Sequence, residues 1–105
     1  MWKTVATIVQ EHRSAVQAVL DDDDPDDWSP WFTLPSEGYG EVSNYGPFSL
    51  RKLRLLRINP IESRRIGMRI PPQVIDHTES ITSALAERQI TFERKDKLII
   101  IRAID

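Results

Sequence analysis

The chain contains no cysteine among its 105 residues. Disulfides, thiolate zinc sites and cysteine nucleophiles are therefore excluded, and the composition is typical of the reducing cytoplasm, where we expect the protein to reside. Long apolar runs are missing as well. The longest is Leu98 to Ile101, which fits a buried strand and is too short to span a bilayer. The early run from Val5 to Val9 is soon interrupted by charged residues, so we expect neither a signal peptide nor a membrane partner.

Histidine and glycine are scarce, with two and four residues respectively. His12 falls on the apolar stripe of a predicted helix, which favours a buried structural role. His77 lies beside Asp76 and Glu79, a group that can orient a general base but is more typical of a helix cap. Because no nucleophile and no glycine-rich phosphate loop accompany it, we expect no catalytic residues, no enzyme activity and no cofactor.

The apolar content of the chain is sufficient for one hydrophobic core. Hydrophobic residues make up 40% of the chain and charged residues 29%. A chain of this length buries roughly two thirds of the surface that its unfolded form exposes. We therefore expect residues 1–105 to form a single domain.

Two segments have the apolar spacing of amphipathic helices. Apolar residues recur at three- and four-residue intervals from Val5 to Leu20, which predicts a helix over about residues 2–20. The aspartates that follow oppose the helix dipole, which is an electrostatically unfavourable way to end a helix. A second helix is predicted over about residues 77–89, where Ile81 and Leu85 mark a narrow apolar face.

Several segments have the alternation or the apolar content of strands. Short strands are predicted at Trp31–Leu34 and Glu41–Ser43, and a better one at Leu53–Ile58. In the segment Arg65–Ile70, Ile66, Met68 and Ile70 alternate with polar residues, which predicts a further strand ending at the two prolines that follow.

The C-terminal part of the chain predicts a hairpin. Its strands are Ile90–Glu93 and Lys97–Ala103, joined at Lys95–Asp96. Both faces of the second strand are apolar, which predicts a central position in the sheet. The order of the elements predicts an α+β fold, with a small, mostly antiparallel sheet of four to six strands and the two helices packed on one face.

Charge is distributed unevenly along the chain. The net charge is −2, but residues 1–50 carry two basic and nine acidic side chains, whereas residues 51–70 carry seven basic and one acidic. Blocks of opposite charge in one chain often mark interaction surfaces.

The acidic block is concentrated in one run next to aromatic residues. A solvated loop is the simplest interpretation, and the run lacks the glycine and the distal glutamate of an EF-hand, so we expect no metal. Acids beside exposed rings can also bind a basic protein surface. The predicted partner-binding residues are Asp21, Asp22, Asp23, Asp24, Asp26, Asp27, Trp28, Tyr39 and Tyr45.

These features lead to two hypotheses of function. The first is a small cytoplasmic inhibitor or adaptor that binds another protein, in its most specific form an immunity protein that neutralises a basic, nuclease-type toxin. The alternative is a nucleic-acid-binding module that uses the arginine-rich segment 51–69, with Arg54, Arg57, Arg65 and Arg69 as anion-binding residues. Internal pairing of these arginines with the acidic run is a third, purely structural interpretation.

Overall fold

A computed structural model describes residues 1–21, 23–65 and 67–103. Two helices and nine strands lie within these ranges, and all strand pairs are antiparallel. The helices pack against the sheet, so the predicted α+β class is confirmed. In chain order the elements are α1 (Trp2–Glu11), β1 (Ala15–Leu20), β2 (Phe32–Ser36), β3 (Tyr39–Val42), β4 (Gly46–Ser49), β5 (Leu53–Asn59), β6 (Ile61–Arg64), β7 (Gln73–Asp76), α2 (Thr78–Glu87), β8 (Glu93–Lys95) and β9 (Leu98–Arg102).

The strands are divided among three sheets. The largest has the order β1-β5-β9-β8, a three-stranded sheet has the order β2-β3-β4, and β6 and β7 form a two-stranded sheet. Strand β9 therefore lies between two neighbours, and the prediction of a central position is confirmed. The turn before β9 is at Asp96 and Lys97, both with positive φ, one residue later than predicted.

The first helix is about half as long as predicted, because residues 15–20 form strand β1. Helix α1 ends at Glu11, and Arg13 then adopts a left-handed conformation with φ of 50° that no helix continues. Apolar residues in β1 occupy both faces, so they satisfy the helical and the strand period together. Pairing with β5 selects the strand conformation for residues 15–20. The aspartates therefore follow a strand, and they do not oppose a helix dipole as the predicted longer helix would have required.

The predicted strand at Arg65–Ile70 is wrong, because most of this segment is the loop between β6 and β7. The hairpin pairs residues 61–64 with residues 73–76, and residues 65 and 67–72 lie outside this pairing. Met68 is 91% exposed and Ile70 is 58% exposed, so neither packs as an inward-facing strand residue. Ile66 lies outside the described residues. Alternation alone is a weak signal here because Gly67 and two prolines favour a loop.

One hydrophobic core joins the helices to the two larger sheets. Helix α1 contributes Val5 and Val9, helix α2 contributes Ile81 and Leu85, and the fully buried Phe32 of β2 belongs to the same cluster. None of the helices in the described ranges is long and apolar enough to cross a membrane.

Candidate functional site

The acidic loop, residues 21–27, folds back along the free edge of β1. The amide of Leu20 donates to the carbonyl of Asp23 at 2.9 Å, and Val16 and Ser29 exchange two backbone hydrogen bonds of 2.8 Å. An uncovered edge strand presents unpaired backbone groups that favour aggregation. These hydrogen bonds satisfy backbone groups at the edge of β1. They also fix the backbone conformation of the loop. Asp22, a predicted partner-binding residue, lies outside the described residues.

Two side chains of the main sheet hold the middle of the loop. Gln17 is only 8% exposed. Its side-chain Nε2 donates to the carbonyl of Asp26 at 3.1 Å, and its Oε1 accepts from Arg57 at 3.2 Å. Arg57 also donates from Nη1 and Nη2 to the two carboxylate oxygens of Asp24, at 2.9 and 3.4 Å. The hydrogen bond from Arg57 holds the pKa of Asp24 below its ordinary value.

The other described carboxylates of the loop point into solvent. Asp21, Asp23, Asp26 and Asp27 are exposed, and none of them forms an ion pair with any residue in the described ranges. The backbone of the loop is fixed by hydrogen bonds while these four charges stay free. Internal pairing with the arginine block therefore accounts for Asp24 only.

The buried hydroxyl of Ser29 connects the loop to the three-stranded sheet. Its oxygen accepts from the amide of Ser43 at 2.9 Å and donates to the carbonyl of Trp31. Ser43 begins the turn between β3 and β4, and the next residue, Asn44, donates from its side chain to the carbonyl of Asp27 at 3.4 Å. These contacts bring the aromatic residue of that turn, Tyr45, next to the end of the acidic loop.

Three aromatic residues predicted for partner binding are exposed, but Tyr39 lies apart from Trp28 and Tyr45. Trp28 is 37% exposed and directly follows the loop, and Tyr45 is 48% exposed with its ring edge-to-face on Phe48 at 6.2 Å. Tyr39 is 50% exposed at the other end of β3, three residues or about 10 Å of strand from Val42. We therefore define the acidic–aromatic patch as Asp21, Asp23, Asp26, Asp27, Trp28 and Tyr45.

The four predicted anion-binding arginines are divided between strand β5 and the loop that follows β6. Arg57 is bound to Asp24, whereas Arg54 lines a polar groove together with Arg51, Arg102 and Asp21. Arg65 and Arg69 lie in the loop between β6 and β7. Residues 65 and 67–70 form no strand, so Arg65 and Arg69 do not share a strand face as the sequence predicted.

The hairpin of β6 and β7 projects from the fold as an arm, residues 61–76. Its two strands form a two-stranded sheet, and its outer end, the arm tip, consists of residues 65 and 67–72 among those that the structure describes. The arm carries three of the most exposed large apolar side chains, Met68, Ile70 and Val74. Sequence reasoning missed this surface because the apolar residues were assigned to the buried face of a strand.

A second feature that the sequence did not indicate is a polar cluster at the root of the arm. Glu62 accepts from His77 Nε2 at 2.8 Å and from the guanidinium of Arg64 at 3.1 to 3.2 Å. The hydrogen bond from His77 is the main reason that the pKa of Glu62 is lowered, and Arg64 adds to it. The hydrogen-bonding partner of His77 is therefore Glu62 of β6, a residue that the sequence analysis did not connect with it.

The two histidines of the chain meet in this cluster. Their rings are edge-to-face with centroids 5.4 Å apart, and His12 Nδ1 donates to the carbonyl of Ile8 at 2.7 Å. His12 follows helix α1 and His77 precedes helix α2, so the cluster joins the arm to both helices. The contacts are those of a structural junction, and no group of three metal-ligating side chains occurs within the described ranges. Residues 12, 62 and 77 share no local motif through which sequence could have connected them.

The fold and the acidic–aromatic patch define a small α+β protein with a fixed, negatively charged surface. A family model described as a family of unknown function, DUF6678, matches residues 2–103, and the chain belongs to this family. Comparisons with curated proteins and with solved structures found no match. The family match covers the acidic loop, the arm and the histidine cluster.

Proposed function

We propose that this protein is a small cytoplasmic inhibitor or adaptor that binds a basic protein surface through the acidic–aromatic patch. Its most specific form is an immunity protein that neutralises a nuclease-type toxin. The observation that carries the proposal is that the backbone of the loop is hydrogen-bonded along β1 while four of its carboxylates remain exposed and unpaired within the described ranges.

A fixed loop binds more effectively than a flexible one of the same charge. Ordering a mobile segment on binding costs conformational entropy. The contacts of Gln17, Arg57 and Asn44 already order the loop when the protein folds, so this loss of entropy does not weaken binding. The carboxylates then act mainly on the rate and specificity of association with a positive surface. Affinity comes from burial of rings, and Trp28 and Tyr45 are the residue types that most often supply it.

The same charges favour a protein partner over a nucleic acid. Carboxylates repel phosphates, and four exposed carboxylates of the acidic loop form no ion pair with any described residue. A basic cleft that normally holds nucleic acid offers the complementary arrangement, because its positive charges are already placed for a polyanion. This complementarity is the reason that a nuclease-type toxin is the specific partner class proposed.

Comparative retention of proteins on immobilised full-length chain tests the proposal. The loop variant carries Asp21→Asn, Asp23→Asn, Asp26→Asn and Asp27→Asn, and the control variant neutralises four exposed acids elsewhere, Glu11→Gln, Glu37→Gln, Glu79→Gln and Glu87→Gln. We expect a basic protein from the native lysate to be retained by the wild type and the control, to elute as salt rises, and to be lost with the loop variant.

The outcome decides both levels of the proposal. Equal retention by the loop variant and the wild type would refute the role of the patch. For the immunity form, the retained protein is assayed as a nuclease, and its activity is expected to fall to zero at a one-to-one ratio with wild-type chain. A retained partner without inhibited activity would leave an adaptor and reject the inhibitor.

A further inference from the structure

The arm tip exposes more apolar surface than its position in the fold explains. Met68 is 91% exposed, Ile70 is 58% exposed and Val74 on the adjoining strand is 67% exposed. Large apolar side chains grouped at one projecting end mark interaction sites more often than isolated surface residues do. The arm therefore has the character of a docking element.

The charge of the arm tip is positive. Arg65 and Arg69 are exposed and form no ion pair with any other described residue, whereas Arg64 at the base of the tip is engaged by Glu62. The tip itself contains no acidic residue. Its surface is thus apolar with two free guanidinium groups, and Arg and Met are both enriched where proteins meet.

We propose that the arm tip binds the acidic–aromatic patch of a second copy of this chain. The patch has the complementary composition, with four free carboxylates beside Trp28 and Tyr45, so guanidinium groups meet carboxylates and Met68 and Ile70 meet aromatic rings. This inference uses the same patch as the proposed function, and self-association therefore competes with the basic partner for it.

No hydrogen bond or ion pair joins the arm tip to the patch of its own chain within the described residues. It leaves the main sheet after Asn59, and its tip lies four residues, or about 13 Å of strand, beyond Ile61. Glu62 and His77 fix its root to the helices. Because each chain carries one arm and one patch, two copies exchange arms reciprocally or further copies add in a chain.

The contact is expected to be weak and salt-sensitive. One hairpin tip on one loop buries an area near the lower end of specific interfaces, about 1,000 Å² in total, so association in the micromolar range is expected. Pro71 and Pro72 restrict the backbone next to Ile70, which reduces the ordering that binding requires.

Sedimentation velocity on the full-length chain tests the inference by charge exchange. The arm variant carries Arg65→Glu and Arg69→Glu, the patch variant carries Asp26→Arg and Asp27→Arg, and the control carries Lys3→Glu and Lys95→Glu at exposed positions elsewhere. We expect the mean mass of the wild type and the control to rise with concentration at low salt and to return to the monomer at high salt. Each charge-reversed variant alone is expected to stay monomeric.

Mixing the arm variant with the patch variant gives the decisive result. The mixture restores both pairs of opposite charge, so association is expected to return, whereas a misfolded variant cannot be rescued in this way. Met68→Ser with Ile70→Ser is expected to weaken association at every salt concentration. A wild type that stays monomeric up to about 1 mM, or that associates equally after charge reversal, overturns the inference.

The arm variant also separates this inference from the proposed function. It retains the acidic–aromatic patch, so it is expected to capture the basic partner at least as well as the wild type does. If self-association fails while partner capture still depends on the loop aspartates, only the inference falls. If the chain self-associates but no partner depends on those aspartates, only the proposed function falls.

Discussion

Arg57 of β5 binds both carboxylate oxygens of Asp24, at 2.9 and 3.4 Å, across 33 positions of the sequence. The arginine side chain is 26% exposed and that of the aspartate 64% exposed. Arg57 belongs to the basic block and Asp24 to the acidic run, so the ion pair joins the two blocks at the middle of the loop. The pair positions the remaining carboxylates rather than neutralising them.

Replacing Asp24 by asparagine is expected to lower stability slightly. The pKa of Asp24 is lowered by Arg57, so the carboxylate contributes stability at pH values above its unfolded pKa, about 3.9, and that contribution is lost as pH falls through the folded value. Thermal unfolding measured over a series of pH values, from neutral down through the acid range, follows the loss of this contribution. Asp26→Asn is the control, because the backbone carbonyl of Asp26, not its carboxylate, accepts from Gln17. A variant difference that persists in acid would contradict the ion-pair explanation.

Replacing Ser29 by alanine is expected to destabilise the protein by about 1 to 3 kcal/mol. The substitution removes the oxygen that accepts from the Ser43 amide and leaves that amide without this partner. Hydrogen exchange at the Ser43 amide and denaturant unfolding measure the two effects. Ser43→Ala keeps the backbone amide and serves as the control. Unchanged protection of the Ser43 amide in the Ser29 variant would show that the hydroxyl does not connect the loop to the β3–β4 turn.

Gly40→Ala is expected to cost about 1 to 3 kcal/mol through overpacking. A Cβ at this position would lie 2.9 Å from the Phe48 ring and 3.1 Å from the Phe32 ring, both buried. Gly67→Ala, where the nearest atom would be 3.5 Å away, provides the comparison in a loop. Equal unfolding midpoints for the two variants would show that the rings yield without cost.

Glu62→Gln is expected to reduce stability at neutral pH and to have little effect in acid. Because His77 and Arg64 lower the pKa of Glu62, its carboxylate stabilises the folded state above the unfolded pKa, about 4.3. That stabilisation disappears as pH falls through the lower, folded value. Denaturant unfolding as a function of pH measures the convergence of the two proteins. Glu37→Gln, at an exposed position in the turn between β2 and β3, is expected to follow the wild type throughout.

Local sequence patterns predicted some elements well and others poorly. Leu53–Ile58 was predicted as a strand and is contained in β5, and the apolar strand after Lys97 is central as expected. Strand β4 was not predicted, since Gly46 and Pro47 are typical of turns. Its strand partner, β3, determines its conformation through pairs such as Gly40 with Phe48.

The candidate site shows the same division at the level of side chains. Composition alone located the acidic run and identified Trp28, Tyr39 and Tyr45 as candidates for exposure, and all three are exposed. Composition did not show that Tyr45 lies nearer the acidic loop than Tyr39 does. That difference depends on the strand, because Tyr39 begins β3 and Tyr45 lies in the turn after it. Nor did composition locate the arm, whose apolar residues have the same spacing as those of a buried strand.

The sequence by itself determined the absence of cysteine chemistry, the separation of acidic and basic blocks, and the burial of the last strand, since these depend only on residue type and order. The tertiary structure alone decided that residues 15–20 pair with β5, that Met68 and Ile70 are exposed, and that His12 meets His77. The physical reason is that a short apolar segment satisfies two periodicities equally well. Only a partner strand, or the lack of one, determines which conformation it adopts and which face it buries.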